Sequence, residues 1–110
     1  MEFVKGDTIE LEITANVDIT GWKIRAEFYD KSGHSVQLAT ANAGGSDDQI
    51  SIDDISNGIF TITCAADETT DFADNGFLEI EREDTNAKKL TIFQGQLTFI
   101  DEKIDWETPS

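Results

Sequence analysis

The chain is short enough for a single domain and is strongly acidic, since its 110 residues include 23 Asp and Glu against eight Lys and Arg, a formal net charge of −15. This charge repels nucleic acids and anionic membrane surfaces, and the adjacent pair Lys88 and Lys89 is too small a basic feature to offset it. An apolar fraction of 38%, with 9% aromatic residues, still permits a modest hydrophobic core. We therefore expect neither a nucleic-acid partner nor a membrane partner.

The sequence also argues against a segment that directs secretion or spans a membrane, and against an intrachain disulfide. Residues 1–7 lack a basic stretch followed by an apolar one, and no apolar run approaches the roughly 18 residues of a membrane span, so we expect neither a signal peptide nor a transmembrane segment. Cys64 is the only cysteine, which excludes an intrachain disulfide. Its spacing from Phe60 and Ile62 predicts a small core residue rather than a nucleophile.

Alternation of apolar and polar residues dominates the first half of the chain. Residues 8–14 and 22–29 place apolar side chains at every second position, which predicts two half-buried strands. A turn at 30–33 precedes a weaker strand over 34–40, and 42–48 has the composition of a loop.

The second half repeats this pattern. Further strands are predicted over residues 50–52, 59–64, 77–83 and 88–99. Turns separate them at 56–58 and 84–87, and 67–72 is long enough for a single helical turn. The expected core consists of Ile9, Leu11, Ile13, Trp22, Ile24, Phe28, Phe60, Ile62, Leu78, Ile80 and Leu97.

The last strand contains a change of phase. Leu90 and Ile92 are at even positions and Leu97 and Phe99 at odd ones, so an uninterrupted strand cannot turn both pairs inward. A β-bulge at Gly95 would restore the pattern. The alternative is that Leu90 and Ile92 face a different surface, such as a partner.

The charges on the first two long strands suggest how they pair. If these strands form a hairpin, Glu12 falls opposite Lys23 and Glu10 opposite Arg25. Opposite charges that face each other across antiparallel strands contribute roughly 0.2–1 kcal/mol per pair. We therefore predict this pairing.

Six or seven short strands at these spacings predict an all-β fold, an antiparallel β-sandwich of about seven strands, with a small β-barrel as the alternative. Residues 1–100 would form the single domain and 101–110 an acidic C-terminal tail that frays. Trp106, within that tail, would need cover or a partner.

The residues that could support chemistry are sparse. His34 is the only histidine, and the sequence contains no glycine-rich phosphate loop and no Cys or His pair at zinc spacing. We therefore predict a protein that is not an enzyme, without catalytic, cofactor-binding or metal-binding residues. Calcium bound by the acidic loops at 47–48, 53–54 or 67–74 remains an alternative to their role as solvated turns and caps.

The order of features resembles the small immunoglobulin-like structural proteins of tailed phages and prophages, and is similar in particular to the N-terminal domain of phage baseplate upper proteins. The residues that carry the resemblance are Lys5-Gly6-Asp7 and residues 18–24, 30–33, 57–62, 67–72, 77–80 and 94–99. The resemblance implies an immunoglobulin-like sandwich that is made in the bacterial cytoplasm and assembled into the tail or baseplate of the virion. It implies no catalytic residues.

A contact surface is the predicted site. Four uncharged residues are at strand positions predicted to point outward, namely Ile59, Thr61, Thr63 and Phe93. Trp106 is added as an apolar residue without cover. The expected partners are other virion structural proteins or copies of this chain, in a monomer that associates as salt or a partner is added. The alternative is that the chain's own loops cover these residues.

Two other functions remain open. A carbohydrate-binding sandwich would use Trp22, Tyr29 and Trp106 as an aromatic platform. An enzyme or a metal-dependent module is the second alternative.

Overall fold

The computed structural model describes residues 2–68 and 70–100, which form eight β-strands and two short 3-10 turns. The strands are β1 (Glu2–Val4), β2 (Ile9–Thr14), β3 (Lys23–Asp30), β4 (Ser35–Ala39), β5 (Ile50–Asp54), β6 (Ile59–Cys64), β7 (Asn75–Glu83) and β8 (Lys89–Ile100). The 3-10 turns are Ala41–Ala43 and Ala66–Glu68. The second of these begins one residue before the single turn predicted over 67–72.

The strands form two sheets. One has the order β1-β8-β7-β3-β4 and the other β2-β6-β5. All pairs are antiparallel except β1 with β8, a short parallel pair in which Glu2 lies opposite Thr98. The predicted all-β sandwich is confirmed, with one strand more than expected because β1 forms a separate short element.

The topology is that of an immunoglobulin-like sandwich. Strands β2, β6 and β5 correspond to B, E and D of that fold, and β3, β7 and β8 correspond to C, F and G. In a constant-type domain the first strand extends the sheet that contains strand B. Here β1 pairs with β8 in the opposite sheet, so β2 is left at an edge.

The core lies between the two sheets and contains most of the predicted residues. Leu11, Ile13 and Trp22 are only partly buried and pack against it, while Ile19 and Phe72 enter it from loops without any period-two pattern. Cys64 is buried, as predicted. The buried apolar residues are Ile9, Ile19, Ile24, Ala26, Phe28, Val36, Leu38, Ile50, Phe60, Ile62, Cys64, Phe72, Leu78, Ile80 and Leu97.

The expected bulge in the last strand is present, but it is not at Gly95. Phe93 lies opposite Ile80 and Thr91 opposite Glu81, so Ile92 is the extra residue. Gly95 instead lies beside the Phe93 ring, where a Cβ would approach the Phe93 Cζ to 3.0 Å. The parity change therefore indicated a bulge correctly, whereas the glycine was a misleading guide to its position.

The predicted hairpin between the first two long strands is wrong. β2 pairs with β6, and β3 pairs with β4 and β7, so the two lie in different sheets. Lys23 lies opposite Glu83 and Arg25 opposite Glu81. The basic residues of β3 thus face acidic residues, but those acidic residues belong to β7.

Candidate functional site

Two sheet edges are left open on the same side of the sandwich. β1 pairs with β8 only through residues 98–100, so the edge of β8 over 89–97 has no neighbouring strand among the described residues. The outer edge of β2 is also unpaired in this part of the chain. Edges of this kind expose backbone N–H and C=O groups that can pair with another strand.

An apolar groove lies between these two edges, and we call it the β2–β8 groove. Its volume is about 570 Å³. Leu90 and Val17, on its rim, are 50% and 49% exposed. The groove is lined by Ile13, Thr14, Ala15, Val17, Asp18, Trp22, Arg82, Leu90 and Ile92.

The Arg82 side chain fixes one wall of this groove. Its guanidinium carbon lies 4.8 Å from the centre of the Trp22 ring, and its Nη1 donates to the Lys88 carbonyl at 3.2 Å and pairs with Asp84 Oδ2 at 3.0 Å. The amide of Lys88 donates to Asp84, and this contact contributes most to lowering the pKa of the Asp84 carboxyl. Arg82 thereby connects the β7–β8 turn to the aromatic ring at the start of β3.

The two ends of the sandwich differ in charge. The groove end, which holds loops 15–22, 55–58 and 84–88, also holds most of the basic residues of the described chain. These are Lys23, Arg25, Arg82, Lys88 and Lys89. Several acidic groups there are engaged locally, since Asp18 accepts from Thr20 and Asp54 accepts from Asn57. The groove end is therefore the least acidic part of a strongly acidic protein.

The predicted surface on β6 lies on a different face. Ile59, Thr61 and Thr63 point outward from the three-stranded sheet and are half-buried. Their neighbours are charged, because Glu12 of β2 lies opposite Thr61, whose hydroxyl donates to Asp53 Oδ2 at 2.5 Å. The uncharged patch was predicted from the alternation of residues within β6, which carries no information about the carboxylates of the adjacent strands β2 and β5.

The other two residues of the predicted surface do not join these three. Phe93 is partly buried and packs against the core, because the bulge at Ile92 changes the parity of the strand and turns the ring inward. Its predicted exposed position is therefore wrong. Trp106 lies outside the described residues.

The aromatic residues considered for carbohydrate binding do not form one platform. Trp22 lines the β2–β8 groove, whereas the Tyr29 ring stacks on Phe77 with centroids 5.2 Å apart. Beside this stack, a shallow polar depression of about 530 Å³ crosses β4, β3 and β7, and its lining includes Arg25, Glu27, Gln37, Ala39, Gln49, Glu79 and Glu81.

The imidazole of His34 is held by the buried carboxylate of Asp30. Its Nδ1 lies 2.9 Å from Asp30 Oδ2, which also accepts from the Ala73 amide at 2.7 Å, while Oδ1 accepts from the amides of Ser32 and His34 at 2.9 Å. Burial raises the pKa of Asp30, but these four donors outweigh it and lower the pKa to about 2. Sequence reasoning missed this cluster because Ala73 is 43 residues from Asp30.

The described residues contain no group of three or more His, Cys, Asp and Glu side chains arranged to hold a metal ion, and no helix among them is long and apolar enough to cross a membrane. The fold places the chain in the class of immunoglobulin-like β-sandwiches. Its sequence matches no family model and no curated protein.

Proposed function

We propose that this protein is a non-enzymatic adaptor of a tailed-phage or prophage virion, in the tail or baseplate, and that it acts through protein–protein contacts at the β2–β8 groove. The observation that supports a contact function is the apolar groove between two unpaired sheet edges. The resemblance of the sequence to phage immunoglobulin-like proteins supports the virion setting.

The groove is suited to contact because it leaves apolar surface in water. Complete burial of an exposed Leu side chain contributes about 1.5–3 kcal/mol, so covering the exposed half of Leu90 contributes roughly 1 kcal/mol. Val17 adds a similar contribution, and strand pairing at the edges adds hydrogen bonds.

Mass spectrometry of tailed particles tests this proposal. We expect the chain in particles purified from the bacterium that carries its gene, at a constant ratio to the other structural proteins. Leu90→Asp should lower its incorporation, while Ile55→Asp, an exposed apolar residue outside the groove, should leave it unchanged. Absence of the wild-type chain from purified particles would contradict the virion assignment.

The stacked pair of Tyr29 and Phe77 favours carbohydrate binding as a second candidate function. The pair lies on the outer face of the larger sheet, beside a polar depression whose Gln and Glu side chains can bond to sugar hydroxyls. Binding on a glycan array that is lost in Tyr29→Ala but retained in Leu90→Asp would support it. An array without signal for the wild-type protein would exclude the glycans it displays.

A further inference from the structure

We propose that the β2–β8 groove accepts an extended strand formed by residues 101–110 of a second copy of this chain. The inference rests on the proposed contact function and specifies its partner. Each copy would then have one groove and one donating segment, so that association is head-to-tail.

The acceptor has the two features that strand addition requires. The unpaired edges of β2 and β8 offer backbone donors and acceptors, and the apolar groove between them offers space for alternate side chains of an added strand. β1 already occupies the edge of β8 at residues 98–100, so the vacant part of that edge is residues 89–97. This vacant length is about 30 Å, enough for a strand of eight or nine residues.

The donor sequence has the pattern of such a strand. In residues 103–107, Ile104 and Trp106 are two positions apart and would lie on one face. Lys103, Asp105 and Glu107 alternate with them and would face solvent. The apolar groove can therefore receive Ile104 and Trp106 without burying the intervening charges.

The distance along the chain favours a second copy over the same molecule. Trp106 is six residues beyond Ile100 and can lie at most about 20 Å from it. Ile92 and Leu90 precede Ile100 by eight and ten residues of strand β8, or about 26 and 33 Å. A chain that turned back on itself would therefore leave Trp106 short of these two residues, whereas the segment of a neighbouring copy has no such limit.

Charge complementarity supports the same occupant. Residues 101–110 contain four carboxylate side chains and one lysine. The groove end holds Arg82, Lys88 and Lys89, while the rest of the sandwich is strongly acidic. Asp18, the acidic residue in the groove lining, already accepts two hydrogen bonds from Thr20. An acidic segment is thus repelled less at the groove than elsewhere on this protein.

Complementation between two variants of the full chain tests the proposal. Trp106→Ala removes the donor and keeps the groove, while Leu90→Asp places a charge in the groove and keeps the donor. By sedimentation velocity at physiological ionic strength, the wild-type mass should rise with protein concentration and each variant alone should remain monomeric. An equimolar mixture of the two variants should form a complex of twice the monomer mass, because each supplies what the other lacks.

Two controls distinguish this mechanism from non-specific association. Ile55→Asp, which lies outside the groove lining, should associate like the wild type. Val17→Asp, a second groove variant, should behave like Leu90→Asp. Agreement between the two groove variants guards against a folding defect in either one. A wild type that stays monomeric at every concentration, or variants whose mixture forms no complex, would overturn the proposal. The contact function itself would then still be decided by the particle experiment, since a different protein could occupy the groove.

Discussion

Asp30 shows how one buried carboxylate can secure the end of the sandwich opposite the groove. It ends β3, and its oxygens receive the amides of Ser32 and His34 in the following turn and the amide of Ala73 in the connection between β6 and β7. Its side chain is completely buried, so these donors replace the water that the charge has lost. One residue thereby joins two loops that are distant in sequence.

The lowered pKa of Asp30 predicts a specific dependence of stability on pH. The folded-state pKa of about 2 is below the unfolded value of about 3.9, so the ionised group stabilises the fold above about pH 4 and this contribution is lost as the pH falls towards 2. Asp30→Asn should lower Tm at neutral pH by roughly 5–15 °C, because the amide cannot accept from all four donors. Thermal unfolding from pH 7 to 2 measures both effects.

The control for that prediction is Asp47→Asn, which changes an exposed loop carboxylate. It should leave Tm nearly unchanged at neutral pH. If Asp30→Asn lost stability between pH 4 and 2 as steeply as the wild type, the hydrogen bonds to Asp30 would not be the source of the acid sensitivity.

The thiol of Cys64 should be almost inert in the folded protein. Burial raises its pKa to about 11, with a further contribution from the negative charges of Glu68 and Asp67. At pH 8 the thiolate population falls about 100-fold relative to an ordinary cysteine, before steric protection is counted. Reaction with a thiol reagent, compared between native protein and protein in urea, measures the difference. Similar rates in the two states would contradict burial of the thiol.

At the scale of strands, the charges across β3 and β7 should stabilise the larger sheet. Glu81 and Glu83 lie opposite Arg25 and Lys23, and each pair contributes roughly 0.2–1 kcal/mol. Glu81→Lys with Glu83→Lys should therefore lower the free energy of unfolding, although the net charge moves towards zero. Urea denaturation measures the change.

The matched control changes Glu10 and Glu12 of β2 to lysine, with the same change in net charge. Their partners across the strand pair are Thr63 and Thr61, so no ion pair is lost and relief of general repulsion should leave the protein equally or more stable. Equal destabilisation by both double variants would show that cross-strand charges on β3 are not the cause.

Strand positions could be predicted because a half-buried strand has apolar residues towards the core and polar residues towards solvent at alternate positions. The bounds of β6 agree with the predicted range 59–64, and Val36 and Leu38 of β4 are buried. Pairing could not be predicted in the same way, because Lys23 and Arg25 are complementary to the acidic residues of both β2 and β7. Only the division into two sheets separates those partners.

The site was harder to predict than the strands for a related reason. The phase change around Leu90 and Ile92 was visible, and a partner surface for these residues was one of its two interpretations. What the sequence could not show was that β1 joins β8 and leaves the outer edge of β2 unpaired among the described residues. The groove depends on that topology, and Val17 and Trp22 reach it from a segment distant in sequence from β8.

For the whole molecule, the balance between general repulsion and local attraction should control association. A net charge of −15 repels copies of the chain, but screening shortens this repulsion to about 8 Å at physiological ionic strength. Contacts at the groove, where the basic residues are concentrated, therefore encounter less repulsion than contacts elsewhere. This distribution agrees with a protein that associates in a defined orientation.

Residue-resolved amide hydrogen exchange along β8, in dilute and concentrated protein, tests the central claim most directly. In dilute solution the amides of residues 89–97 that point to β7 should be protected, and those that point to the open edge should exchange rapidly. Raising the protein concentration should slow exchange at the open edge while residues 98–100, already paired with β1, change little. Protection of the whole strand in dilute solution, or an edge that remains fast in concentrated protein, would contradict an open edge that binds a second copy.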